Sequence, residues 1–229
     1  MSRVRPALLA LAAAFVDTCG FIGLFGLFTA HVTGNFVLIG ADLVNRHVDI
    51  LTKSLALPVF IVSVMLANQA EVMMRRRSMA ATTWLLGTES ALIAVAALAP
   101  RWTGMPQQPD DAPSVVVGVL LIVAIGVQNA LMRTSLAGPV QTTVMTGNVT
   151  QLTIDLLSLA AGRADAGTRL RVSSSWSVVA AFAVGSALGA AGYAWLGFDC
   201  LWLACALVAI AAWLMHRLDA KEASLRSAI

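Results

Sequence analysis

Thr33-Gly34-Asn35 and Thr146-Gly147-Asn148 are two copies of one tripeptide, and an Asp-Leu pair follows each at the same distance, Asp42-Leu43 and Asp155-Leu156. Each copy opens a short helix-like segment. A threonine hydroxyl there can cap first-turn amides, and the free N–H groups of a helix start attract anions and carboxylates. Thr33 and Thr146 are therefore expected as N-caps. Asp17 lies nine residues into the first apolar run, roughly 14 Å deep at 1.5 Å per residue. An ionisable group at mid-membrane costs about 2.5–3.5 kcal/mol on insertion scales, which makes it a functional candidate by default. Its counterpart in the second half, allowing one gap, is Asn129 beside Gln128. An acid in one half facing amides in the other suits proton or cation coupling. The plainer alternative is that Asp17 bonds a neighbouring helix as glue and that Thr and Asn only satisfy a broken backbone.

Four further residues are secondary candidates. His31 precedes Thr33 by two positions and could titrate near neutral pH, but Val144 occupies that place in the second copy. Asp42 and Asp155 follow Asn35 and Asn148 by seven residues, two helical turns, so each falls on nearly the same face as its Asn. They read as mouth residues or as interfacial charges. Glu89 is a second embedded acid, near the site or in interfacial water. No His-Glu-x-x-His, Gly-x-Ser-x-Gly or phosphate-binding Gly-Lys-Ser/Thr pattern occurs, so the chain is not expected to be an enzyme. Cys19, Cys200 and Cys205 leave one thiol unpaired in any scheme and suggest no metal site. No cofactor is implied.

The elements that position these residues are mostly hydrocarbon. The 229-residue chain is 59% hydrophobic and 12% charged, far from the roughly 25% charged composition of soluble domains. It reads as a single all-α integral membrane domain over residues 1–229. The net charge of +3 is spread between apolar runs rather than gathered on one face, which argues against nucleic acid. Arg3 and Arg5 ahead of an apolar run imitate a secretory signal, but the run continues to Phe28, so an uncleaved first span is expected. Spans are expected at 8–27, 55–73, 83–99, 114–131, 176–195 and 201–215, with two short segments at 33–43 and 146–157.

The basic residues arbitrate the topology. If the short segments do not cross, both termini and Arg75 to Arg77, Arg133, Arg163, Arg169, Arg171, Arg217, Lys221 and Arg226 lie on the cytoplasmic side, leaving Arg46, Lys53 and Arg101 outside. The expectation is six transmembrane helices plus two re-entrant or broken helices, forming two inverted three-span repeats at about 8–100 and 114–217. Inverted halves would bring the two Thr-Gly-Asn helix starts together near the midplane as one polar site. Phe60, Ser63 and Ala67 match Phe182, Gly185 and Gly189 in spacing and read as packing faces.

The stretch from Asp17 to Phe21, the run Ala30 to Val37, the segment Gly126 to Ala130 and the run Thr142 to Asn148 resemble the YoaK-like family of bacterial inner-membrane proteins, a domain of unknown function. The resemblance covers nearly the whole chain and implies a multi-span protein of the bacterial inner membrane. It supplies no substrate or catalytic residue. The residues themselves suggest a secondary transporter or exporter of a small polar or charged solute or ion, with a passive channel or a non-transporting membrane scaffold as alternatives. The expected partners are the lipid bilayer and that solute; a homo-oligomer stays open.

Overall fold

The computed structural model describes residues 4–45, 50–138 and 140–226, with side chains described as far as residue 217. Arg3 and Arg46, and the side chains of Lys221 and Arg226, lie outside these residues. The described chain is helical throughout: α1 Val4–Gly23, α2 Gly34–Val44, α3 Leu51–Arg76, α4 Ala81–Leu98, α5 Pro100–Thr103, α6 Ala112–Arg133, α7 Met145–Ala160, α8 Ala166–Leu196 and α9 Leu201–Arg226. A 3-10 turn, Gly197–Cys200, joins the last two.

Five helical stretches are long and apolar enough to cross a membrane: 4–23, 51–76, 81–103, 112–133 and 166–217. The last contains α8 and the first seventeen residues of α9. Gly197, at φ +57°, sits in the turn between them. α1 ends at Gly23 rather than Leu27, because Phe25 and Gly26 take positive φ and turn the chain back. Val37, Leu66, Trp84, Leu157, Trp195 and Trp213 point outward. Hydrocarbon around the bundle would accept such a surface, whereas water would not.

Contacts fix how the long helices run. Gly185 lies against the backbone of Leu11 and Gly189 against that of Phe15, so α1 and α8 are parallel. The Ser63 hydroxyl donates to the Val123 carbonyl, and the Thr134 hydroxyl donates to Glu71, so α3 and α6 are parallel. α1 runs antiparallel to α6, through Gly20 with Leu121 and Gln128 with Leu9. It also runs antiparallel to α9, through Cys19 with Cys200 and Arg5 with Met215. α4 is antiparallel to α9, the Ser90 hydroxyl donating to the Cys205 carbonyl at 3.0 Å. Taken in chain order, α1, α3, α4, α6, α8 and α9 alternate in direction. Arg5, Arg75, Arg76, Arg133, Arg171 and Arg217 all fall at one end.

The small-residue faces explain the close approach. A Cβ on Gly189 would stand 2.6 Å from the Phe15 carbonyl oxygen, and one on Gly126 would collide with Ser63. Such faces let backbones touch where Leu or Phe would hold them apart. The loop before α6 supplies caps to two helices. Asp111 accepts from the Ser114 amide at 2.8 Å and starts α6. Asp110 accepts from the Leu51 and Thr52 amides, both at 2.8 Å, and caps α3 from across the bundle.

Candidate functional site

The chain leaving α1 folds back along it. Asp17 Oδ1 accepts from the Thr29 amide at 2.7 Å, the Ala30 amide at 2.6 Å and the Thr29 hydroxyl at 3.2 Å, while Oδ2 lies 2.6 Å from His31 Nδ1. Asp17 is 5% exposed. It stands six residues before the end of α1, so residues 29–31 have returned about 9 Å along the helix axis. Gly20 makes room for this, since a Cβ there would meet the Thr29 methyl at 3.0 Å. The His31 side chain keeps 37% of its surface exposed, with Phe28 and Phe182 presented to it edge-on at 6.0 and 5.5 Å.

The second half repeats the fold-back with neutral groups. Gln128 Nε2 donates to the Thr142 hydroxyl at 2.7 Å and to the Leu9 carbonyl at 3.2 Å. Asn129 Oδ1 accepts from the Thr143 hydroxyl at 2.7 Å. Gln128 is fully buried and its Oε1 has no partner. Asp17 and Asn129 each hold a loop that folds back beside its own helix, but they do not meet. Gln128 is level with Leu9, eight residues from Asp17 along α1, a separation of about 12 Å.

Asn35 and Asn148 act alike. Asn35 Nδ2 donates to the Phe28 carbonyl at 2.9 Å and Oδ1 accepts from the Phe28 amide at 3.0 Å. Asn148 Nδ2 donates to the Gln141 carbonyl at 2.5 Å and Oδ1 accepts from the Gln141 amide at 3.2 Å. Each amide thus clamps the backbone seven residues earlier, satisfying groups that would otherwise be stranded at depth.

Thr33 occupies the N-cap position of α2 as expected, but it is in the αR region and makes no side-chain cap bond; the second expectation is corrected, since Thr146 lies inside α7, whose N-cap is Val144. The first amides of α2 are already used: Gly34, Asn35 and Phe36 donate to the carbonyls of His31, Val32 and Thr33. Those three amides are therefore not free for an anion. Gly34 is needed because a Cβ would press on the Phe28 ring at 3.0 Å, whereas Gly147 has open space around it. The two fold-backs form separate stations, one held at the level of Asp17 and one at the level of Leu9 on α1.

Asp42 and Asp155 each join their short helix to the next long one. Asp42 pairs with Lys53 at 2.6 Å, and Asp155 takes the Arg171 guanidinium with two bonds at 2.9 and 3.1 Å. Glu89 is fully buried on α4, away from interfacial water, and neither carboxylate oxygen has a partner. Lys53 and Arg171 were not among the expected residues, and neither were Thr29, Thr142 and Thr143. A signal existed for two of them, because Thr29 and Thr142 each precede the tripeptide by four residues. Glu71 was also missed. It is buried at the end of α3 and gathers Arg75, Thr134 and Ser135.

Among groups outside the spans, partial burial pushes the Asp110 carboxyl up, but bonds from Thr52 and Leu51 and the charge of Lys53 outweigh it and hold it below the usual carboxylate range. The Thr168 hydroxyl and amide hold Asp165 low in the same way, where it caps α8. No group of three or more His, Cys, Asp or Glu arranged to hold a metal occurs among the described residues.

A family model, "protein of unknown function (DUF1275)", matches residues 6–214 and so takes in both stations and every long helix. The chain belongs to that family. The YoaK-like resemblance is consistent with this membership. No curated protein and no solved structure matches.

Proposed function

We propose that the chain is a secondary transporter of a small polar or charged solute in a bacterial inner membrane, built as two inverted three-span halves with both termini cytoplasmic. The carrying observation is the Asp17–His31 pair, a carboxylate and an imidazole bonded at 2.6 Å on a fold-back loop, with the imidazole partly open. Proton gain or loss at that pair would alter the loop that Asp17 holds through the Thr29 and Ala30 amides. The matched station at Gln128 and Asn129 carries no ionisable group, which suits a fixed half working against a coupled one.

The alternating directions of the six long helices support six crossings. The equivalent amide clamps at Asn35 and Asn148, and the return of each short helix toward the end it left, support re-entrant segments entering from opposite faces. The gathering of Arg5, Arg75, Arg76, Arg133, Arg171 and Arg217 at one end supports cytoplasmic termini.

Uptake by proteoliposomes with an imposed pH gradient, over a panel of small solutes, tests this reading. The expected result is proton-dependent uptake that Asp17→Asn abolishes and Asp42→Asn leaves intact. Uptake independent of the gradient in both would point to a passive channel. A specific observation favours the scaffold alternative: the Asn35 and Asn148 amides are spent on backbone clamps. Retained assembly with no uptake of any solute would select it.

A further inference from the structure

At the basic end of the bundle, a groove of about 510 Å³ lies between α4 and α9, lined by Ala80, Thr83, Trp84, Gly87, Ala212 and Trp213, with His216 at its end. Its chemistry changes along its length. Gly87 and Ala212 make a shallow floor, and a Cβ built on Gly87 meets nothing within 4 Å. Trp84 and Trp213 are half-exposed and form the two lips. Beyond them the groove turns cationic. The Arg217 guanidinium stacks 4.3 Å from the Trp213 ring, next in sequence to His216, and Arg77 ends α3 three residues before Ala80. Among the described residues neither Arg77 nor Arg217 is in an ion pair.

We propose that this groove binds one anionic phospholipid, an acyl chain lying over Gly87 and Ala212 between the tryptophans and the phosphate held by His216, Arg217 and Arg77. Three physical arguments converge on that occupant. A slot that opens outward between two apolar helices is filled by hydrocarbon from the bilayer rather than by water. Tryptophans at the lips mark headgroup depth, because an indole prefers one apolar and one wet side. Basic side chains at that depth, on the face where basic residues gather, attract anionic headgroups over zwitterionic ones. Arg217 is pre-positioned by its stacking on Trp213, so less side-chain freedom is lost on binding.

The test uses the full chain purified in a non-ionic detergent, with phosphatidylglycerol, phosphatidylcholine of the same acyl chains and inorganic phosphate as probes. Binding is read by native mass spectrometry and by thermal shift. The wild type should bind phosphatidylglycerol about tenfold more tightly than phosphatidylcholine. His216→Gln with Arg217→Gln should erase that preference. Gly87→Leu, which projects into open space and leaves the helix packing untouched, should weaken both lipids. Equal affinity for the two lipids in the wild type would overturn the proposal, as would an undiminished preference in the double variant. Full displacement of the lipid by equimolar inorganic phosphate would show a free-phosphate site instead and would also overturn it. If Gly87→Leu bound phosphatidylglycerol like the wild type, the acyl seat would be refuted.

Discussion

Replacing Asn35 or Asn148 by Ala separates a structural clamp from a ligand contact. Asn35 is 1% exposed and Asn148 is 6% exposed, and each holds both the N–H and the C=O of one distant residue. Removing the side chain leaves two partly buried backbone groups without their partners. A buried unsatisfied group costs about 1–3 kcal/mol, while hydrogen bonds inside membrane proteins average nearer 0.6 kcal/mol because other partners are found. Two such groups give an expected loss of about 2–6 kcal/mol on the first figure, with roughly 1 kcal/mol from the second as the floor. At about 2–4 °C per kcal/mol for a chain of this length, the melting temperature in detergent should fall by about 4–24 °C. The two variants should fall by similar amounts, since the clamps are equivalent. Asn→Asp should be no gentler: it keeps the acceptor but sets oxygen against the Phe28 or Gln141 carbonyl. Thr33→Ala should shift the melting temperature by less than about 1 °C, because the hydroxyl makes no cap bond. A melting temperature unchanged in Asn35→Ala and Asn148→Ala, together with lost solute binding, would refute the clamp argument and return both amides to a ligand site.

Two other outcomes follow from buried or capping carboxyls. Glu89→Gln should leave the melting temperature at pH 7 unchanged or raise it, because neither oxygen has a donor to lose and the amide bears no charge in a site closed to water; a drop of more than about 3 °C would reveal an unseen partner. Asp110 has its folded value below the unfolded one, so its stabilisation of the α3 start is complete above the unfolded value of about 4 and disappears as pH falls through the lower folded value. Thermal scans from pH 6 to pH 3 should show this acid loss in the wild type and a flatter profile in Asp110→Asn; parallel profiles would contradict it.

The long helices were legible because continuous apolar runs leave few alternatives: the observed α3, α6, α8 and α9 each contain the expected span, and α4 contains all of its own but Ala99. Their ends were less so. α1 stops at Gly23 because the following loop must turn back to Asp17, and no local pattern announces that. The correspondence of Asp17 with Asn129 was visible from spacing, and both do hold fold-back loops. What each amide of the repeat does was not visible. An Asn two residues after a helix start can point at solvent, at a ligand or at the chain behind it, and only the path of the loop decides. The same holds for Asp42 and Asp155, whose partners Lys53 and Arg171 are eleven and sixteen residues away. Glu89 was legible as an embedded acid, but its isolation depends on which faces of α6 and α9 close over it.

The parallel contact of α1 with α8 sets a timetable for making the protein. The glycine face that receives Leu11 and Phe15 belongs to Gly185 and Gly189, roughly 170 residues later in synthesis, which at about 5–20 residues per second is about 10–35 s. For that interval the first helix inserted has no partner for its closest-packed side, and it must wait in lipid or beside an insertion factor. α3 finds α6 much sooner. A chain cut between α4 and α6 would therefore yield two fragments that are each incomplete, yet each displays the surface the other lacks, so co-produced halves should recover one another where either alone is degraded.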